Sequence, residues 1–309
     1  MPRIELGTYV EAFVLWLLRT IPGVLEGISA VVGVVVDVLT AVLAGPPFLV
    51  WVAILTAVAL LVRGWAFAVF TLVAFLLIAS LDLWEETMQT LAVVLVAAVI
   101  ATAIGVPLGI WAARSRPSGA VLRPILDFMQ TTPVFVYLIP AVFFFGIGVV
   151  PGVIATTIFA IPPAVRLTEL GIRGVDPEVV EAANAFGAHP RQILREVQLP
   201  MALPSIMAGI NQVIMLALSM VVVAGLAGAG GLGTVVVSAV TTLDIAAGFE
   251  GGLAVVILAI FLDRFSSALA EPNRGLWRTL RARRQAAGDA SPAAATPDRR
   301  AQKPVAAAG

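Results

Sequence analysis

The chain has one histidine, His189, and no cysteine. A lone imidazole with no second nitrogen or sulfur ligand does not make a metal site, and it cannot complete a Ser-His-Asp set. A helix cap or an interface contact fits it better. Thiol chemistry and disulfides are excluded with cysteine. The run GAGGLG at 228–233 has the G-x-G-x-x-G spacing of a dinucleotide turn. It follows an apolar helical stretch, however, where such a turn needs a strand. Close helix packing or a flexible outer turn suits it better. No G-x-x-x-x-G-K-[ST] occurs, so the lysine and hydroxyl that hold nucleotide phosphates are missing. Taken together, these residues predict no enzyme, no metal and no cofactor.

The remaining chemistry lies in EAANAFGAHPRQILREVQLP, residues 181–200, a charged stretch in a chain that is 60% hydrophobic. Asp176-Pro177-Glu178 reads as a helix start: a cap, a proline at the first position and an acid on the dipole. Val179, Ala182, Ala183 and Phe186 fall on one face. Gly187 suits a helix stop, and His189-Pro190 opens a second short helix that Pro200 cannot continue. The product is a water-facing helical pair with a glycine corner. On a charge-poor bundle, such a knob is a handle for a soluble partner.

That handle needs a bundle to move. The 309 residues have a mean hydropathy of +1.02 and 12% charge, where soluble domains carry about 25%. An all-α polytopic membrane protein is expected, in contact with lipid. Lys+Arg and Asp+Glu balance at 19 each, so nothing calls for nucleic acid. The N-terminus lacks the pattern of a cleavable signal peptide. A span needs about 20 apolar residues. Runs at 38–62, 64–81, 87–113, two within 128–165 split by GIGVVPG (146–152), one from 197 closed by 225–233, and 251–269 give about seven. Arg63, the group Arg114, Arg116 and Arg123, the group Arg166, Arg173, Arg191 and Arg195, and Arg274 onward all fall on one side of seven spans. Asp82, Glu85, Glu86, Asp244 and Glu250 fall on the other. By the positive-inside rule, the C-terminus and the 181–200 stretch face the cytoplasm and the N-terminus lies outside.

Residues 24–44 are apolar but carry Glu26 and Asp37 on one side, which suits an interfacial helix or one bracing the bundle from outside. An eighth span is the alternative. The tail beyond 285 reads as low-complexity disorder. Ser205, Gln212 and Ser219 recur at sevens, with Asn211 beside them, and so share a face of span six. They either line a solute path or join helix to helix. Gln130, Thr131 and Thr132 open span four as a gate or a cap. Phe128, Phe135, Tyr137, Phe143, Phe144 and Phe145 cluster there, either as ordinary packing or as faces for a cationic solute.

EAA-x3-G followed by Leu-Pro resembles the EAA loop of ABC-importer permeases. The matching positions are Glu181, Ala182, Ala183, Gly187, Leu199 and Pro200, with Val197 where that family often has isoleucine. MQTTPVFVYLIP (129–140), FGIGVVPGV (145–153), FGAHPRQILREVQLP (186–200), SIMAGINQVIMLALSMVV (205–222), GGLGTVV (230–236) and LAVVILAIFLDR (253–264) are similar to the glycine betaine/proline betaine subfamily. The likeness covers roughly 45–270. It implies a type I ABC-importer permease fold in a bacterial inner membrane, importing osmoprotectants such as betaines. The loop would couple to a separate ATPase, and an extracytoplasmic substrate-binding protein would deliver the solute. One loop per chain implies a homodimer, or pairing with a similar subunit. The implied division is 1–44 interfacial, 45–86 two accessory spans, 87–270 permease core and 271–309 basic tail. Two rivals remain: an ABC permease of the same architecture for another small solute such as an amino acid, and an ion-coupled secondary transporter. The second would want a mid-membrane acid, and the core spans are expected to have none at such depth.

Overall fold

The computed structural model describes residues 6–270, and every regular element among them is helical. Apolar chain in lipid must satisfy its own backbone, which leaves helices as the open choice for these runs. In order they are α1 (Leu6–Thr20), α2 (Pro22–Ala44), α3 (Phe48–Arg63), α4 (Trp65–Ser80), α5 (Trp84–Arg114), α6 (Arg116–Thr131), α7 (Phe135–Phe145), α8 (Val149–Arg173), α9 (Pro177–Ala185), α10 (Pro190–Gln192), α11 (Leu199–Ala224), α12 (Gly231–Thr242) and α13 (Ile245–Ala270). The tail expected to be disordered lies outside the described residues.

The core is three long helices side by side, with α8 between α5 and α11. Small residues set the spacing. A Cβ at Gly105 would lie 2.5 Å from that of Ala164, and one at Gly109 would lie 2.6 Å from the Val165 carbonyl oxygen. On the other side of α8, a Cβ at Gly171 would lie 2.7 Å from that of Ser205, and one at Gly209 would lie 3.1 Å from that of Leu167. Lipid tails are as apolar as leucine, so membrane helices associate through close packing rather than hydrophobic drive, and small residues allow it.

Each of the seven expected spans finds a helix, but several boundaries differ. The run 38–62 is not one helix. Gly45-Pro46-Pro47 breaks it, ending α2 at Ala44 and starting α3 at Phe48, because a proline supplies no N–H and disfavours helix before it. Span four does not begin at 128. Phe128 to Thr131 close α6, and the chain turns by 93° into α7. Pro133 explains this by holding Thr132 extended at φ −72°, ψ 128°. By length and composition, five described helices suffice to cross a bilayer, or six with α6–α7 counted as one bent span. Helices α3 and α4 have 16 residues each and α7 has 11, against about 20 for a full crossing.

Helix α2 is among the long apolar ones. Val32, Val36 and Leu43 are buried and Leu25, Ser29 and Leu39 half-buried, one stripe that packs on α5 and α8. Glu26 and Asp37 are exposed, away from that stripe.

At one end of the bundle, α12 starts against α5. Gly231 N–H donates to Gln89 Oε1 at 3.0 Å and Leu232 N–H to Thr90 Oγ1 at 2.8 Å. Gly231 has φ +65°, and a Cβ there would lie 2.5 Å from Thr90 Oγ1. GAGGLG is thus a packed turn between helices. At the other end α6 is clamped to α8. Glu169, 6% exposed, receives Arg123 Nη2 at 3.0 Å and Arg173 Nε at 3.1 Å. Arg173 also donates to the Ala112 carbonyl at 2.8 Å, and Arg166 pairs with Asp127.

A side chain at the α5–α8 contact should be costly. Gly109→Val should lower the thermal unfolding midpoint in detergent by about 4 °C or more, the response to an overpacking penalty of about 1–3 kcal/mol. Gly27→Val, with nothing within 4 Å of its added Cβ, should leave the midpoint unchanged in the same assay.

Candidate functional site

The helical pair at 176–200 forms as its punctuation requires. Asp176 Oδ1 accepts from the Glu178 N–H at 2.9 Å and caps α9, with Pro177 at its first position. Helix α9 ends at Gly187, whose φ of +79° is open to glycine at no steric cost. The Gly187 N–H reaches the Asn184 carbonyl at 2.9 Å and the Ala188 N–H the Ala183 carbonyl at 3.1 Å. His189 caps α10: its Nδ1 accepts from the Arg191 N–H at 3.3 Å, while Gln192 Oε1 accepts from the His189 N–H at 2.9 Å. The cap reading of the histidine holds.

The loop is anchored by its second half. Ile193 and Leu194 are buried, and Leu194 joins Ile172, Ala202 and Ile206 in one apolar cluster. A π-helical turn, Ile193–Gln198, leads without a break into α11. A π turn adds one residue per turn and is frequent at functional sites. Displacement of the loop therefore reaches α11 through continuous helix.

The first half stands clear. No residue of α9 is buried. Glu181, Ala182 and Gly187 are exposed, Ala183 is half-buried, and Pro200 is exposed beside half-buried Leu199. Phe186 is 92% exposed at the corner, with Val179 at 39%. The apolar face seen in the sequence thus points partly away from the bundle. Its members do not all share one environment, since Ala183 turns inward with Val180. Between the loop and the ends of α5 and α8 lies a polar-walled cavity of about 370 Å³, lined by Arg114, Arg173, Val180, Asn184, Leu194 and Gln198.

The other candidate residues divide into groups. Gln212 and Ser219 are exposed on one face of α11, and Ser205 is half-buried beside Gly171. Asn211 turns elsewhere. Its Nδ2 donates to Asp263 Oδ1 at 3.1 Å, and its Oδ1 receives the Ser266 hydroxyl. Gln130 is exposed at the end of α6. The Thr131 hydroxyl bonds back to the Asp127 carbonyl at 3.0 Å and that of Thr132 to the Phe128 carbonyl at 2.6 Å. They finish α6 rather than open α7. Of the aromatics, Phe128, Phe135 and Phe143 are exposed. Tyr137 stands 6.3 Å from Phe159 and donates to the Met129 carbonyl at 2.7 Å.

Sequence reasoning missed the Glu169 clamp, the π turn and the Asn211–Asp263 bond. It also passed over Asp263, which sits inside α13 one residue before Arg264, half-buried against Asn211. Asp263 and Arg264 are visible within the seventh apolar run and were the available signal.

Residues 105–271 match the family described as the binding-protein-dependent transport system inner membrane component. The chain is 48% identical to the glycine betaine transport system permease protein OpuAB of Bacillus subtilis, over 86% of this chain and 94% of that protein. It is 45% identical to the glycine betaine/proline betaine transport system permease protein ProW of Escherichia coli, over 88% of this chain and 77% of that protein. Among solved structures, an inward-facing form of the MetNI methionine ABC transporter superposes with a TM-score of 0.58 at 23% identity, over 62% of this chain and 95% of that one. That likeness is one of fold, the type I ABC-importer permease. The family match spans more than half of the sequence, and the similarity to OpuAB runs nearly end to end. The chain therefore belongs to the binding-protein-dependent inner-membrane permeases, subunits that carry solute through the membrane and leave ATP hydrolysis to a separate protein.

Proposed function

We propose that this permease imports glycine betaine, proline betaine or a similar quaternary amine, and that an ATPase drives it through Glu181, Ala182, Ala183, Gly187, Leu199 and Pro200. One observation carries the coupling reading. A helix with no buried residue, tipped by an almost fully exposed phenylalanine, is rooted through Ile193 and Leu194 in the helix that lies along α8. Exposed aromatics at the centre of small surfaces are typical binding anchors. The names of OpuAB and ProW support the solute. A substrate-binding protein outside would deliver it. Each chain offers one such loop, so a two-ATPase engine calls for a homodimer or a pair of similar subunits. Gln212 and Ser219, on the exposed face of α11, are the best placed of the path candidates. Gln130, Thr131, Thr132, Ser205 and Asn211 have structural partners or lie at a helix end. Residues 87–270 form the core, 45–86 an accessory pair, and 1–44 an outer brace.

The arginine-bearing ends would face the cytoplasm. Arg63 donates to the Arg264 carbonyl at 3.2 Å, so the α3–α4 turn and the late part of α13 share one level. The N-terminus would lie outside. Glu26 and Asp37 are exposed on α2, and an acid at the centre of a bilayer costs about 2.5–3.5 kcal/mol, which speaks against an eighth span, while the length and apolar character of α2 speak for one.

Gly187→Asp should abolish ATP-driven uptake while the protein still reaches the membrane. Normal transport by that variant would refute the docking reading. Phe186→Ala should weaken co-purification with the ATPase about tenfold or more, the usual scale for an aromatic anchor. In vesicles containing permease, ATPase and binding protein, radiolabelled glycine betaine uptake should be competed by proline betaine and not by amino acids. The native chain lacks cysteine, so single cysteines report topology cleanly. Leu243→Cys and Gly7→Cys should react with an impermeant maleimide in intact cells, and Arg191→Cys only after permeabilisation.

A further inference from the structure

Asp263 is an acid within the span α13, one helix away from the coupling loop. Its carboxylate accepts from Asn211 Nδ2 at 3.1 Å across the α11–α13 contact. Ser266, 3% exposed, sets its hydroxyl against Asn211 Oδ1 and the Leu262 carbonyl. Both ends of the Asn211 amide are therefore held by α13, which fixes the register of the two helices.

The contact of α11 with α8 is of another kind. It is made by Gly171, Gly209, Ala202 and the side chains they approach, which are packing contacts without directional bonds at those points. That contact positions α11 by shape and sets no hydrogen-bond register at those points. A hydrogen bond between two side chains of this kind cannot slip along the helices without leaving the acid or the amide unpaired.

Helix α13 carries the joint outward in two directions. Beside the joint, Phe261 packs on Phe67 and Phe75 of α4 at 5.8 and 5.1 Å, and toward the loop end the Arg264 carbonyl holds Arg63. Toward the other end, Gly248 and Gly251 pack against Ala239, Val235 and Val236 of α12.

We propose that Asn211, Asp263 and Ser266 form the joint through which α11, moved by the coupling loop, carries α13 with it. Asp263 is then a positioning residue for transport and not part of the solute path. This rests on the transport reading above.

The test uses the full complex of permease, ATPase and binding protein in proteoliposomes, with ATP hydrolysis and radiolabelled glycine betaine uptake measured together. Asp263→Leu and Asn211→Leu should each keep hydrolysis within about twofold and lower uptake per ATP about tenfold, the scale of one lost interhelical coupling. The Asn211→Leu/Asp263→Leu double variant should be no worse than either single one, because it leaves no unpaired partner. Asp263→Asn, which still offers Asn211 a carbonyl acceptor, should couple normally. Wild-type uptake per ATP in Asp263→Leu would overturn the joint. So would losses that add in the double variant, or an Asp263→Asn as defective as the leucine change. Where a leucine variant does not reach the membrane, Asn211→Ala decides: unchanged uptake per ATP in it also overturns the joint. Failure of the transport reading would show differently, as no ATP-driven uptake by the wild-type complex.

Discussion

Helix α8 can be a central column only because glycines on both neighbours let it pack closely against each of them. Ala164, Val165 and Thr168 meet Gly105 and Gly109 of α5, while Pro163, Leu167 and Ala164 meet Gly209 of α11. Neighbouring positions on a helix point to adjoining directions, so the one stretch 163–168 serves both partners. Glycine in a helix interior costs about 0.5–1 kcal/mol relative to alanine. That cost is accepted here at several contacts, because without close backbone approach the helices would have little reason to associate in lipid. The position of α11, and with it the coupling loop, depends on this packing.

From that column the loop gains its mechanical character. Its exposed half is shaped by caps, Asp176 at the start, Gly187 at the corner and His189 with Gln192 at the second start, with only Val180 and Ala183 turned inward on α9. Its buried half is Ile193 and Leu194. A short helix with no buried residue has little to hold it against its own bundle, so its shape is prepared for another surface. The π turn places the one irregularity of the connection just before α11, where α9 and α10 give way to the span.

Much of this was legible in the sequence, because it depends on local rules. Asp-Pro-Glu, Gly187 and His189-Pro190 each act within one helical turn, so they located α9 and α10 without tertiary knowledge. The apolar runs located α5, α8, α11 and α13, because lipid demands uninterrupted helix. The failures came from non-local or competing signals. Absence of charge joined 38–62 into one run, although Gly45-Pro46-Pro47 was printed in its middle. Likewise the run from 128 hid a right-angled turn that Pro133 dictates. Glu169 carried no local signal, because its partner Arg123 lies 46 residues away on α6. The path residues were legible as a polar face, yet Asn211, next to that face in sequence, bonds to α13, a contact that spacing alone does not encode.

The two ends of the bundle are held by different chemistry, and that difference bears on which end can move. At the α12 end, backbone N–H groups of Gly231 and Leu232 are capped by Gln89 and Thr90 in a turn where three glycines have positive φ. Those bonds are short range, partly or fully buried, and indifferent to salt. At the loop end, α6 is held to α8 by ion pairs whose outer members are open to water: Arg123 is 60% exposed, Asp127 66% and Arg166 39%. The Arg166–Asp127 pair, open to water at both members, contributes only about 0–1 kcal/mol and is screened by ions, whereas Arg123 meets a buried Glu169. Glu169 also pairs with Arg173 of its own helix, so its charge stays partnered within α8. Separation at the other end would uncap α12 and strand buried donors. The loop end is thus held in part by contacts that water and salt can reach, and the α12 end by buried caps that they cannot.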